Sequence, residues 1–579
     1  MQSLGGKVGR VTILGAMCLG VAAGSAACSS SGGGGGGEST GSTSQAITAQ
    51  VAHGQEIWLK ATFGGQVFFS LVLPQPPLSL PLGFGAALTT PRSQRFTQWG
   101  VINDPGCTDG NAATGGLDIC ANDTDPNDPE EPLFGEPSGI VGIRKFPNPI
   151  FDPDAGVSAT NSPFIFGVSC AGCHAGLNPQ NPPADPNHPT WDNIHLTTGN
   201  QYLNAGLIFG ANLPANDPRY QVFRTWAPGT VDTTAIESDG INNPGIITQF
   251  YDFPDRPYFT VHQGGVLLNS HGVTNGQAHR AGQGGEDDVG CQLAATRVYF
   301  NIGMCAQECM LPHLGTNPPA TQTPIDMAAC AQACAAFDAE QAEVGDMCAF
   351  INDAASTPPP SLAAAPGGAA HIDSRVVARG WQVFTQNCAG CHSNGQAAPH
   401  NVWSDDLTHA ASGYRPLIGE PAGDIGTNEC RFLTTNWQPG SIWAQFASDE
   451  KQKQGPGWGR DVPLLGVWAT APFFHNNRLG TYNQDPSING RVAAFEDAYN
   501  QLMNPLIRNE LGSIQVTTAA ITVDGLTLPA GTPVALFANL DPTTLKLRCS
   551  DLVENGGHYF GALLSVTDKY ALREFLKTL

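Results

Sequence analysis

Charge is scarce in this sequence, and positive charge is the scarcer kind. Only 13% of the 579 residues are charged, and 27 Lys and Arg residues compare with 50 Asp and Glu residues, for a formal charge of −23. No cluster of basic residues interrupts this acidic chain, and nucleic-acid binding depends on such clusters to neutralise phosphates. The composition therefore excludes nucleic acid as a partner, whereas an uncharged substrate is compatible with it.

Long apolar runs are missing after the N-terminus, which excludes a later membrane-spanning helix. At the N-terminus, Lys7 and Arg10 precede an apolar segment over residues 11–23, the layout of a bacterial secretory signal. Small residues precede Cys28 and a Ser/Gly-rich stretch follows it, as at a lipoprotein processing site.

We therefore predict a signal peptide over residues 1–27, a lipid on Cys28 and a flexible tether over residues 28–50. The alternative is ordinary cleavage near Ala27, which leaves a soluble protein. Either way the protein is expected to be exported. Its predicted location is the periplasm, outer membrane or cell surface of a Gram-negative bacterium, with the lipid anchor as its membrane contact.

One pentapeptide occurs twice. Cys170-Ala171-Gly172-Cys173-His174 returns at residues 388–392. Cys-x-x-Cys-His is the attachment motif of c-type haem, in which both thiols bond to the porphyrin and the histidine ligates the iron. A redox dithiol or half a zinc site is the alternative, but each pair here has its own histidine. We predict two covalent haems, bound through Cys170, Cys173 and His174 and through Cys388, Cys391 and His392.

The other cysteines predict disulfides. The sequence has 16 cysteines, and ten remain after the signal, lipid and haem positions are set aside. An even number in an exported protein indicates up to five disulfides. A Cys107–Cys120 bridge would close an acidic, turn-rich loop. A helical hairpin over residues 305–348 would pair Cys305 with Cys334 and Cys309 with Cys330, because a four-residue spacing puts each pair on one helix face.

The chain divides most naturally at a Pro- and Ala-rich stretch, residues 354–368. We predict an N-terminal haem domain over residues 51–370 and a C-terminal cytochrome c domain over residues 371–579. In the latter, an amphipathic helix over 374–387 precedes the second motif, and a terminal helix over 567–579 crosses it. The expected fold class is mainly α with extensive irregular loops and few short strands. One such strand is expected at residues 67–72.

The sixth ligands of the two irons are predicted to differ. His558 lies in Gly556-Gly557-His558-Tyr559-Phe560-Gly561, where glycines let the backbone approach the porphyrin, so we predict it as the second iron's ligand. Met503 competes but has helical, core-like surroundings, and His475 is expected near this haem. For the first iron, none of the remaining candidates is comparably placed. These candidates are His188, His195, Met304 and Met310. An open first haem favours an enzyme over an electron carrier.

An acidic cluster, Asp123, Asp125 and Asp128, is a candidate calcium site. Its spacing lacks the glycine and terminal glutamate of an EF-hand loop, so a solvated loop is the better interpretation.

Several further segments have a recognisable pattern. They are Trp191 with residues 199–202, and residues 232–234, 239–243, 256–259, 285–288, 297–303, 471–477 and 557–561. These segments resemble those of the bacterial di-haem rubber oxygenases, within the wider group of di-haem cytochrome c peroxidases, and the resemblance covers roughly residues 130–579.

The resemblance implies that the first haem binds dioxygen and cleaves C=C bonds of polyisoprene, while the second is ligated by His392 and His558. It also implies aromatic residues near the oxygen site, for which Tyr299 and Phe300 are the candidates beside the ligand His174. The Cys-rich hairpin and the lipid anchor depart from the family, so a similar apolar alkene is an equal expectation. A small redox donor is an expected partner.

Two alternatives stay open. A di-haem peroxidase would use hydrogen peroxide and an acid–base group over the iron, with Gln201, Glu237 and Glu286 as candidates. A non-enzymatic electron-transfer lipoprotein would have two six-coordinate irons.

Overall fold

The computed structural model describes most of the chain between residues 40 and 579. The described residues are 40–76, 79–121, 134–156, 161–232, 242, 244–251, 333, 335–351, 353, 356–392, 427–428, 464–540, 545–547, 549 and 551–579. Within them, helices predominate over short strands. The α-helices are Thr40–Lys60, Gly65–Val67, Phe84–Thr89, Arg92–Trp99, Ala171–His174, Ala205–Gly210, Pro218–Phe223, Ala335–Ile351, Ser374–Asn387, Ala389–His392, Ile488–Met503, Ala535–Ala538 and Val566–Leu576.

Short 3-10 turns and strands connect these helices. The 3-10 turns are Ala112–Thr114, Pro153–Ala155, Trp191–Asn193, Gly368–His371, Val467–Ala469, Pro505–Ile507 and Leu511–Ser513. The described strands are all antiparallel to their neighbours. Ile143–Pro147 lies between Glu136–Pro137 and Phe164–Val168 in a three-stranded sheet. The two-stranded pairs are Cys107–Thr108 with Ile119–Cys120, Gly176–Leu177 with Ile194–His195, Thr230–Val231 with Gly245–Ile246, and Ile521–Val523 with Leu526–Leu528. Among the helices described, none is long and apolar enough to cross a bilayer.

The prediction of a strand at residues 67–72 is wrong. Residues Gly65–Val67 form a helical turn that continues as a π-helix over Phe68–Val72. Phe68 is fully buried and Phe69 nearly so. A short apolar run without clear periodicity fits either a buried strand or a buried helix, and here tertiary packing selected the helix.

Residues Thr48–Leu579 form one compact unit. Inside it, two hydrophobic clusters each surround one of the repeated motifs. The first cluster contains buried residues from Ile57 to Ile351, and the second contains buried residues from Leu362 to Leu579. The division into two haem domains at residue 370 stays a prediction.

The three-stranded sheet leads the chain into the first motif. Strand Phe164–Val168 pairs along its whole length with Ile143–Pro147. Its neighbour Ser169 donates a hydrogen bond from Oγ to Leu59 O at 2.8 Å. The motif therefore starts from a backbone that is held on both sides, by the sheet and by the N-terminal helix Thr40–Lys60.

The predicted pairing of the two amphipathic helices is present in the second cluster. Ser374–Asn387 begins after Asp373, whose side chain accepts from the Arg375 N–H, and Val566–Leu576 begins after Ser565, which caps it similarly. Between the two helices, the ring of Phe575 lies tilted against the rings of Trp381 and Phe384, at centroid distances of 5.4 Å and 5.3 Å. Their pairing fixes the end of the helix from which the second motif continues.

The cysteines that the structure describes outside the two motifs are disulfide-bonded. Cys107 and Cys120 form the predicted bridge, with an S–S distance of 2.05 Å. Cys348 and Cys549 are also disulfide-bonded. Beside the bridge, Asp118 is buried between the guanidinium groups of Arg92 and Arg95.

Several predicted features lie outside the described residues. They are the signal peptide, Cys28, the tether up to residue 39, the Asp cluster, Met304, Met310, Tyr299, Phe300, Glu237, Glu286, and the pairings proposed for Cys305, Cys309, Cys330 and Cys334.

Replacement of Gly380 by alanine is expected to destabilise the protein. A Cβ atom at this position would lie 2.0 Å from Ala571 O, so the two paired helices must separate. Overpacking of this kind costs about 1–3 kcal/mol. The thermal unfolding midpoint of G380A should fall, whereas G85A, where a Cβ meets nothing within 4 Å, should leave it equal or higher. Equal midpoints for the two variants would contradict this account.

Candidate functional site

The first motif forms a single helical turn, Ala171–His174, directly after Cys170. The His174 N–H donates to Cys170 O at 2.9 Å and closes the turn. Residues three apart on a helix lie on one face, so Cys170 and Cys173 are placed side by side. This is the local geometry that haem attachment requires of the motif.

The His174 ring is oriented by a backbone carbonyl. Its Nδ1 lies 2.9 Å from Thr248 O, and because a carbonyl only accepts, Nδ1 carries the proton and Nε2 has a free lone pair. Burial lowers the pKa of His174 to about 4, against the smaller opposing effect of the Thr248 bond. A neutral imidazole with its second nitrogen bonded to a carbonyl is the usual state of a histidine that ligates a metal.

Aromatic side chains surround this imidazole. The ring centroid of Trp58 lies 5.7 Å from that of His174, and the centroid of Phe250 lies 5.0 Å from it. Trp58 is 2% exposed and donates from Nε1 to Leu196 O at 2.9 Å. Sequence reasoning missed Trp58, because the N-terminal segment that carries it has no chemical motif.

Both thiols of the first motif pack against the first hydrophobic cluster. Burial raises the pKa of Cys173 to about 11, and Cys170 Sγ lies 3.7 Å from Met347 Sδ, on the helix Ala335–Ile351. Zinc ligation and dithiol redox chemistry depend on thiolates with lowered pKa values. The raised pKa of Cys173 is the opposite of what these two alternatives use.

The second motif continues from the helix Ser374–Asn387. The Cys388 N–H donates to Phe384 O at 2.7 Å, and the helical turn Ala389–His392 follows. The side chain of Cys391 lies outside the described residues.

The ring of His558 lies near the ring of His392. Their ring centroids are 6.3 Å apart, with an interplanar angle of 49°. Metal–imidazole bonds are about 2 Å long and each ring nitrogen lies about 1 Å from its centroid, so an iron between two imidazoles separates the centroids by about 6 Å. Among the residues that the structure describes, the buried Nδ1 of His558 also has no hydrogen-bond partner. The two rings thus fit a six-coordinate haem iron.

Aromatic rings lie against His558, and its backbone has a positive φ angle. Burial, and then the charge of His392, lower its pKa to about 4. Phe560 and Phe474 lie against its ring, at centroid distances of 5.2 Å and 6.5 Å. Its φ of 52° follows a Gly557 φ of 86°, so the loop turns through two left-handed residues in succession.

The rival ligands have other contacts. His195 uses both ring nitrogens, with Pro358 O and the Thr197 N–H, and His188 is exposed beside Asp185. Met503 is buried, and its sulfur packs against Gly561 so closely that a Cβ atom added to this glycine would lie 2.1 Å from it. The side chain of Met503 is therefore part of the packed core. Among the described residues, the rings in contact with His174 are those of Trp58 and Phe250. Neither side chain has an atom that ligates iron.

A small pocket, partly open to solvent, adjoins the His558 loop. Its lining includes His475, Asn476, Arg478 and Glu554. Glu554 Oε2 accepts from Asn476 Nδ2 at 2.9 Å. Burial raises the pKa of Glu554 to about 7, although the nearby charge of Arg478 acts in the opposite direction. His475, expected near the second haem, thus lies in the segment that supports this loop.

No protein-family model matches the chain, and no curated protein matches it.

Each cysteine pair is predicted to hold one haem. C170A/C173A and C388A/C391A should each halve the pyridine haemochrome absorbance per chain and lower the intact mass by one haem. C107A/C120A removes a structural pair and should retain both haems. Full haem content in either motif variant, or stoichiometric zinc in the wild type, would refute the assignment.

The stability of the protein should depend on pH through Glu554. Its raised pKa means that the folded chain binds a proton between about pH 4.5 and 7 that the unfolded chain releases, so this contribution is lost as pH rises. Between pH 4.5 and 8 the wild type should lose on the order of 2 kcal/mol relative to E554Q, measured by denaturant unfolding. Parallel pH profiles for the two proteins would show that Glu554 titrates normally.

Proposed function

We propose that this chain is a di-haem c-type oxygenase that cleaves C=C bonds of polyisoprene or a similar apolar alkene with dioxygen. The observation that carries the proposal is the difference between the two motif histidines. His392 has a second imidazole at the distance that an iron would bridge, whereas His174 has aromatic neighbours. One closed and one open site suit an enzyme better than a carrier.

Seven side chains would hold the two haems. Cys170 and Cys173 would bond the first and His174 would ligate it; Cys388 and Cys391 would bond the second, with His392 and His558 as its ligands. When bound at the first site, the haem supplies an iron that activates dioxygen.

The protein's own part at the first site is orientation and exclusion of water. Thr248 O holds the proton on Nδ1 of His174, which keeps Nε2 available and directs the ring. Trp58 and Phe250 pack edge to face, with ring centroids 5.6 Å apart, and exclude water from the imidazole. Tyr299 and Phe300 stay predicted aromatic neighbours of the oxygen site.

The substrate class rests on the composition and on the family resemblance. A chain with few charges and little basic surface suits an uncharged molecule better than an anionic one. The second haem would keep the first reduced, in exchange with a small redox donor, or stabilise the fold. Export and a lipid on Cys28 belong to the same proposal, because an insoluble or apolar substrate is met outside the cytoplasm.

A di-haem peroxidase is the second candidate, and one observation favours it. Glu343 is 8% exposed and lies one helical turn before Met347, whose sulfur contacts the first motif. A buried carboxyl group near the first haem is the kind of acid–base group that peroxide cleavage uses. Gln201, the candidate from sequence, instead accepts from Arg491 at 3.1 Å.

Air-exposed protein incubated with polyisoprene latex, without peroxide or reductant, should produce oligomers with carbonyl ends, detected by chromatography. H174A is expected to abolish them, while H188A, at an exposed histidine, should not. Oxidation of a reduced donor by peroxide, without any latex product, would favour the peroxidase. Failure of the reduced protein to bind carbon monoxide would favour the electron-transfer lipoprotein.

A further inference from the structure

Arg508 connects the His558 loop to the long helix Ile488–Met503. It lies just after this helix, and only 6% of its surface is exposed. A buried guanidinium group needs several acceptors to offset its lost hydration. Among the described residues, no carboxylate forms an ion pair with Arg508, so its acceptors are backbone carbonyls.

Four of these carbonyls come from two segments. Nε donates to Gln501 O at 2.8 Å and Nη2 donates to Leu502 O at 2.9 Å, both at the C-terminal end of the helix. Nη1 donates to Asn555 O at 3.2 Å and to Gly557 O at 2.6 Å, in the loop. The last carbonyls of a helix have no partners within it, so Arg508 satisfies these groups and joins the loop to a rigid element.

Arg508 also contacts the aromatic residues around His558. Its guanidinium carbon lies 5.1 Å from the Tyr559 ring centroid and 5.7 Å from that of Phe474. The residues on both sides of His558, Gly557 and Tyr559, therefore touch the same guanidinium. A non-glycine residue adopts a left-handed backbone only when its surroundings impose it, and the contacts of Arg508 with Gly557 and Tyr559 support this conformation of His558 from both sides.

We propose that Arg508 is the positioning residue of the second haem site. It holds the ring of His558 at the distance from His392 that an iron would bridge, and its fixed positive charge lies next to the His558 loop. This rests on the proposed function, in which the second haem has two histidine ligands. A fixed cation in a buried site disfavours the more positive oxidised iron, so the charge raises the reduction potential of that haem.

The test compares R508Q and R508K with the wild type and with R224Q, all with both haems bound. Arg224 is a matched control, because it also donates to a backbone carbonyl, Val516 O, but is exposed and touches neither motif. The readouts are carbon monoxide binding per chain in the reduced protein, the low-spin signal of the oxidised protein, and the midpoint potential of each haem.

Wild type and R224Q should bind one carbon monoxide per chain. R508Q should bind two, lose the low-spin signal of the second haem and shift that haem to a lower potential. R508K keeps the charge but loses the planar fork, so it should bind a second carbon monoxide only partly and remain closer to the wild-type potential. If R508Q does not accumulate with two haems, R508K alone decides.

Binding of only one carbon monoxide per chain by R508Q would overturn the positioning role. If R508Q does not accumulate, binding of only one carbon monoxide by R508K would overturn it. Equal potentials in loaded R508K and R508Q would overturn the role of the charge. A wild type that binds carbon monoxide at neither haem or at both would instead refute the assignment of one open and one closed site, independently of Arg508.

Discussion

At Gly380 the backbones of two helices approach so closely that no side chain fits between them. This contact aligns the helix Ser374–Asn387 with the C-terminal helix, and the aromatic rings of Trp381 and Phe575 cover it. The second motif starts where the first of these helices ends, and the His558 loop lies just before the other. Close packing at one glycine therefore determines where both halves of the second site meet.

The two motif histidines share a sequence but not an environment. His174 lies among the rings of Trp58 and Phe250, with a carbonyl on its Nδ1. His392 lies across from the ring of His558. Identical local sequences are thus placed in two different environments by residues that come from elsewhere in the chain. The proposal of one open and one closed haem site is built on this difference.

Much of the second site was predictable because its signals are local. The amphipathic helix before the motif, the terminal helix and the Gly-Gly-His558 loop each have a pattern that short-range physics explains. Residues 67–72 were misassigned because a short apolar run has no period that distinguishes helix from strand. Trp58 was missed because its role depends on contacts with Leu196 and His174, which are distant in sequence.

By itself, the sequence determined which cysteines and histidines form the two repeated motifs, that the chain is acidic and poor in charge, and that Cys107 can pair with Cys120. Only the tertiary structure decided what lies near each imidazole. It placed Thr248 O beside His174 and the ring of His558 6.3 Å from that of His392. It also brought four backbone carbonyls to the guanidinium of Arg508. The physical reason is that ligand geometry depends on the folded path of segments far apart in sequence, which local patterns do not encode.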